Sequence, residues 1–253
     1  MLSDPTSIYF QTELRFLPIE DIGFDKTFAR DLYYQLAQPG GYPYDDLRLQ
    51  EQPLSMSSKR VAVGSSGSST CQIRPHSIRI EEIEPEVDEK GFLEIALSVL
   101  NAVAEVAGDS PPIFGQQCVI RCLAKPVAIQ HSIDLLAGKV SNVLNAIEPF
   151  GRPPAFFGIR FRFPPVTISD PDGPDDAEPE EREDFVSLRF ETWAQDIEQV
   201  WMEISAAKVF DNPIDVTETE KIAANFREAY EFLTEKGVGF LNQFDINGKE
   251  EKS

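Results

Sequence analysis

Cys118 and Cys122 stand four residues apart, and together with Cys71, His76 and His131 they complete the chain's inventory of thiols and imidazoles. Four such donors would suffice for a tetrahedral zinc site. The spacing speaks against one, because QQCVIRCLAK (116–125) reads as a strand, where residues four apart share a face but lie roughly 13 Å from each other. The two thiols are expected to be small buried apolar groups. Nucleophilic catalysis has no better footing: GSSGSS (64–69) lacks the G-x-S-x-G spacing, no G-x-x-x-x-G-K-[ST] run occurs, and two histidines leave a serine or cysteine triad almost without a base. No catalytic residue, metal or organic cofactor is implied, and the chain is expected not to be an enzyme.

The densest charge lies in ISDPDGPDDAEPEERED (168–184), whose nine carboxylates and one arginine supply about eight of the twenty net negative charges. Calcium would need an EF-hand register. Counted from Asp170, the residues Asp172, Glu178 and Glu181 fall at positions 3, 9 and 12, but Pro174 takes position 5 and Asp175 stands where glycine should turn the chain. With Pro171, Pro174 and Pro179 between them, Asp170, Asp172, Asp175, Asp176, Glu178, Glu180 and Glu181 are expected to form an extended, solvated loop. Such a loop is a spacer or bait for a basic partner.

Arginine placement is more informative. Of thirteen arginines, eight (Arg15, Arg48, Arg74, Arg79, Arg121, Arg160, Arg162 and Arg189) fall in segments that read as strands. Alternation sets Arg15 on the side of Tyr9, Arg160 and Arg162 on that of Phe156, and Arg189 on that of Trp193, with Trp201 the polar-side aromatic of the next strand. A sheet face bearing Arg15, Arg121, Arg160, Arg162, Arg189, Trp193 and Trp201 can hold an anionic or planar group by stacking and bidentate hydrogen bonds. The competing reading is cross-strand pairing with Glu13, Glu81, Glu191 and Glu203, which only solvates the sheet.

The elements that must position these residues follow from periodicity. SIYFQTELRF (7–16) alternates as a half-buried strand, and from Phe24 the spacing of Phe28, Leu32 and Leu36 predicts a helix ended by Pro39-Gly40-Gly41. Short strands are expected near 45–50, 53–63, 70–74 and 77–83, with GSSGSS as a turn, then a long helix over 88–107 ended by Gly108. The pattern restarts: strand 116–125, helix 130–147 with Ile133, Leu136, Val140, Val143, Leu144 and Ile147 inward, and strands 154–163, 185–193 and 198–209. A last helix opens with Thr217 and Glu220 as a capping box and carries Ile222, Phe226, Ala229, Tyr230 and Leu233 inward.

This order predicts an α+β fold in which a β-α-β(n)-α unit is duplicated, as a lobe over 1–108 and a second over 109–244. The acidic segment 168–184 is an insertion in the second lobe and 245–253 a flexible tail. The sheet is expected to be curved and mainly antiparallel, with helices on one face. The arrangement resembles the TATA-binding-protein-like or helix-grip type. More narrowly, SIYFQTELRF and the closing NFREAYEFLTEKG resemble a sporadically distributed family of uncharacterised prokaryotic proteins, a resemblance that implies no activity.

A net charge of −20 and a pI near 4.4 make direct binding to nucleic acid or an anionic membrane unfavourable. The opening MLSDPTSIYF lacks a basic, apolar leader, so a soluble cytoplasmic protein is expected. The function read from these features is a non-catalytic accessory subunit that recognises another protein through the arginine face, the acidic loop or both. Two alternatives stand beside it: a regulatory nucleotide or small-ligand binder, and an acidic mimic of nucleic acid in a bacterial defence or phage-related system.

Overall fold

A computed structural model describes residues 1–16, 26–38, 44–49, 54–59, 67–108, 112–152, 154–168, 180–182, 185–216 and 218–246. Nine strands form one sheet: β1 (Thr6–Phe16), β2 (Asp46–Leu49), β3 (Leu54–Lys59), β4 (Ser68–Arg74), β5 (Ser77–Ile83), β6 (Ile113–Ala124), β7 (Gly158–Phe163), β10 (Phe185–Thr192) and β11 (Val200–Ile214). Two short strands, β8 (Val166–Ile168) and β9 (Glu180–Arg182), pair separately. The order across the large sheet is β2-β3-β4-β5-β1-β6-β11-β10-β7, with every neighbouring pair antiparallel. The fold is therefore α+β, and β1 against β6 joins the first half of the chain to the second at mid-sheet.

Among the described residues four α-helices accompany it: α1 (Lys26–Leu36), α2 (Glu89–Ala107), α3 (Thr219–Glu231) and α4 (Val238–Asn242). Helix α2 begins where Asp88 accepts from the Gly91 amide and ends at Gly108, whose φ of 72° favours a residue without a Cβ. Its buried stripe includes Phe92, Val99 and Leu100 and faces the sheet. Phe10 of β1 meets Phe92 of α2 at 5.3 Å and Phe226 of α3 at 5.9 Å, and those two rings meet each other at 4.9 Å. Helices from both halves of the chain thus cover the same side of β1. All three rings are fully buried, each worth about 1.5–3 kcal/mol relative to exposure. None of the helices in the described residues is long and apolar enough to cross a membrane.

Several expectations need correction. The helix expected over 130–147 is broken into a π-helical segment, Asp134–Val140, and a 3-10 segment, Leu144–Phe150. Asn142 turns the chain with φ 49°, and a side chain at Gly138 would stand 3.0 Å from Leu144, so the second segment folds back onto the first. Of the expected inward stripe only Leu136 is fully buried; Ile133, Val140, Val143, Leu144 and Ile147 are half-buried.

At the closing helix Thr217 lies outside the described residues. The N-cap is Glu218, whose side chain takes the Asp215 amide instead of capping the helix. Ile222, Phe226, Ala229 and Leu233 are buried as expected, and the helix runs on through a π-helical turn, Phe232–Gly237, into α4. In GSSGSS, Ser68 and Ser69 belong to β4, while 64–66 lie outside the described residues, as does Phe24. The ends of the acidic segment, expected as loop, pair as β8 and β9, so Glu180 and Glu181 lie in a strand. Asp170, Asp172, Asp175, Asp176 and Glu178 lie outside the described residues.

Asp245, expected to begin a flexible tail, is 2% exposed. Its carboxylate takes the amides of Val127, Ala128 and Ile129 at 2.9–3.1 Å and pairs with the Met1 ammonium at 2.9 Å. Burial alone would raise its pKa, but these donors hold it below the ordinary carboxylate value. Residues 247–253 lie outside the described residues.

Candidate functional site

Strand alternation and register place all eight strand arginines on the face opposite the Phe10 cluster. One row runs Tyr9, Arg121, Glu203, Arg189, Arg160 across β1, β6, β11, β10 and β7; the next contains Gln11, Val119, Ser205, Ser187 and Arg162. Arg79 stands opposite Glu13 and Gln72, Arg15 opposite Ser77, and Arg48 opposite Ser55. Where side chains of these paired rows are described, eight arginines meet five carboxylates: Asp46, Glu13, Glu81, Glu191 and Glu203. A molecule of charge −20 thus presents a locally cationic sheet face.

The centre of this face is satisfied internally. Arg79 Nε lies 2.6 Å from Glu81, and Arg121 Nε 2.7 Å from Glu203. The Arg121 guanidinium covers the Tyr9 ring at 4.3 Å, and the Tyr9 hydroxyl, with one proton to donate, lies 2.8 Å from Gln11 Oε1 and 3.0 Å from Glu81 Oε1. Burial, then the nearby Glu81 charge, pushes the Tyr9 hydroxyl up to about 12. Trp201 lies between two guanidiniums, 5.8 Å from Arg121 and 5.2 Å from Arg189, a pair of cation–π contacts. Tyr9 and Gln11 are buried although, among the described residues, no helix covers this face. Arg121 lies over the Tyr9 ring and Arg79 donates to the Gln11 side chain at 2.6 Å.

The β10–β7 margin differs. Arg189 holds Glu191 at 2.6 Å and stands opposite Glu203 on β11, but its neighbour on the β7 side is Arg160. Arg160 donates to the Ser187 hydroxyl at 2.9 Å, and Arg162 lies 6.0 Å from the exposed Phe185 ring. Among the described residues no carboxylate pairs with Arg160 or Arg162, and both are exposed or half-exposed at the sheet's edge. Among the described residues Arg15 reaches Gln117, at 3.5 Å. Trp193 follows β10, half-buried, with its amide bonded to Gln199 O at 3.0 Å. Phe156, expected beside Arg160, precedes β7 and is 57% exposed.

One feature escaped the sequence reading. On the helix side of the same margin, Phe161, Phe163, Leu188, Phe232, Lys236 and Phe240 line a groove of about 270 Å³. Alternation in GIRFRF does mark Phe161 and Phe163 as facing opposite to the arginines; that β7 ends the sheet and leaves them uncovered is a property of strand order.

A smaller cavity of about 70 Å³ lies between β6, β11 and α3, lined by Gln116, Cys118, Lys208, Asn225 and Glu228 among others. Cys71, Cys118 and Cys122 are free and buried; burial pushes Cys118 up to about 12, Cys122 to about 11 and Cys71 higher still, which favours the neutral thiol in each. Among the described residues no three His, Cys, Asp or Glu side chains are grouped to hold a metal ion. Comparison with known proteins gives no match to a protein-family model and none to a curated protein.

Proposed function

We propose that this chain is a non-catalytic recognition subunit of a cytoplasmic prokaryotic complex, binding an acidic region of another protein through the outer sheet face. The β10–β7 margin is the contact. One observation carries the reading: Arg160 stands directly opposite Arg189, and neither Arg160 nor Arg162 has a carboxylate partner among the described residues. Like charges opposed across strands cost about 0.2–1 kcal/mol, an energy that an incoming carboxylate would recover with charge-assisted hydrogen bonds. Asp170, Asp172, Asp175, Asp176 and Glu178 lie outside the described residues, and the proposal rests on none of them. In our reading the sheet is two copies of one unit meeting at β1 and β6, with β5 and β11, then β4 and β10, then β3 and β7 as equivalent strands. The margin then belongs to the copy that carries the acidic insertion.

A nucleotide in the space between sheet and helices is the weaker alternative, because the cavity between β6, β11 and α3, about 70 Å³, is well short of the roughly 300 Å³ at which ligand sites begin, and the groove of about 270 Å³ at the margin offers one lysine and otherwise apolar side chains. The test is affinity capture with the intact protein as bait, comparing wild type, an R160Q/R162Q/R189Q variant and R74Q as a control from the other half of the face. The expected result is a partner that wild type and R74Q retain, that the triple variant loses, and that elutes as salt rises. Equal capture by the triple variant would overturn the proposal.

A further inference from the structure

The β7 edge carries a more specific arrangement than a cationic patch. Gly158 stands opposite Glu191, and one step further the Thr192 amide donates to the Phe157 carbonyl at 3.0 Å. Hydrogen-bonded and non-bonded pairs alternate along an antiparallel ladder. Ile159, Phe161 and Phe163 therefore spend their backbone groups on β10, while the N–H and C=O of Gly158, Arg160 and Arg162 point away from the sheet. Among the described residues no strand of the sheet stands on that side.

Side chains along the same six residues alternate in character. Arg160 and Arg162 project to the outer face. Phe161 and the 39% exposed Phe163 project to the other, where Phe232, Phe240 and Lys236 complete the groove, Lys236 Nζ lying 5.3 Å from the centre of the Phe232 ring. A strand laid against β7 would set its own alternate residues against these two different surfaces.

We propose that β7 receives an extended segment of a partner protein as a tenth strand of the sheet. Side chains of that segment alternate between carboxylates, set against Arg160 and Arg162, and apolar groups, set into the phenylalanine groove. The inference rests on the recognition reading above and adds the mode of docking: backbone hydrogen bonds hold the segment and the two surfaces select it. A second copy of this chain is a poor occupant, because antiparallel β7–β7 pairing would bring the Arg160 and Arg162 side chains of both copies together on one face. Nucleic acid supplies the charge but neither the backbone donors nor the apolar alternation, and it meets the repulsion of a −20 molecule.

The experiment uses the full chain and a capped peptide of alternating Glu and Leu, matched in length to the six residues of β7. Affinity is read by fluorescence anisotropy and docking by amide hydrogen exchange. In the free protein the amides of Arg160 and Arg162 should exchange faster than that of Phe161, and the peptide should slow them. N-methylation of alternate peptide nitrogens, and separately the R160Q/R162Q substitution, should each weaken binding by about tenfold or more.

Equal binding by the N-methylated peptide, or by one of the same composition with Glu and Leu in separate blocks, would overturn strand addition while leaving charge recognition standing. Slow exchange of the Arg160 and Arg162 amides in the free protein would also overturn it. Tighter binding of oligothymidylate with the same arginine dependence would replace the protein partner with nucleic acid. Failure of every Glu-bearing peptide to bind would sink both readings.

Discussion

The centre and the β7 margin of the outer sheet face are built from the same residue types and solve opposite problems. Around β5, β1, β6 and β11, each guanidinium that lies over an aromatic ring or a buried amide also has a glutamate: Arg79 with Glu81, Arg121 with Glu203. That region is a polar second layer which, among the described residues, buries Tyr9 and Gln11 without a covering helix. At the margin Arg189 keeps Glu191, but Arg160 and Arg162 find only a hydroxyl and a ring. Arginine on a strand therefore says little by itself. What its cross-strand neighbour is, glutamate or another arginine, separates a stabilising layer from a surface left open to an anion.

The largest effect should come from beneath the centre. Phe10→Ala removes the ring that ties α2 and α3 to β1, and unfolding in urea should report a loss of about 3–5 kcal/mol. Phe163→Ala, at the partly exposed margin, should cost less than about 1 kcal/mol. A cost for Phe163 approaching that of Phe10 would make the margin part of the core and break the contrast.

A smaller difference separates the arginine environments. Glu203→Gln leaves Arg121 without its carboxylate while the ring contacts persist, and after discounting for exposure of the guanidinium the loss should be about 1 kcal/mol. Arg160→Gln removes one of two opposed positive charges and should change stability by less than about 0.5 kcal/mol, in the favourable direction. The same urea titration checks both.

Alkaline pH probes the centre alone. The Tyr9 hydroxyl, raised to about 12 by burial and Glu81, stays protonated in the folded protein after unfolded tyrosine, with a pKa near 10, has begun to ionise. The stability it contributes is complete below about pH 10 and is lost as pH rises toward 12. Spectrophotometric titration should show late-ionising tyrosines, of which the Tyr9 fraction disappears in Tyr9→Phe while that of Tyr230, also raised by burial, remains. If the late fraction is unchanged in that variant, the packed polar layer over Tyr9 is misdescribed.

Much of this contrast was half-legible in the sequence. Period-two alternation was enough to set Arg15, Arg121, Arg160, Arg162, Arg189 and Trp201 on one face, because side-chain direction along a strand is local. Strand order is not local. Nothing in GIRFRF says that β7 ends the sheet, or that Arg160 meets Arg189 rather than Glu203, and those two facts make the candidate site. Apolar spacing also misread 130–147 as one helix, since Ile133 to Ile147 keep helical intervals while Gly138 and Asn142 let the backbone fold back between them. Asp245 lay in a polar tail by composition; its burial comes from the amides of 127–129, more than a hundred residues away in sequence.

The smallest expected effect lies at the opposite edge. Strand β2 also ends the sheet, but it has four residues against the six of β7, and its one arginine, Arg48, is held by Asp46 on the same strand at 2.8 Å. A short edge discourages pairing with another chain, and an arginine already held by an aspartate offers little to an incoming carboxylate. Both partners are about half exposed or more, so the pair is screened and Arg48→Gln should move stability by less than about 0.5 kcal/mol. It should also leave affinity for the alternating Glu–Leu peptide unchanged. Were Arg48→Gln to weaken that peptide as much as R160Q/R162Q does, attraction would depend on the field of the whole face, and the distinction between a closed edge at β2 and an open one at β7 would fail.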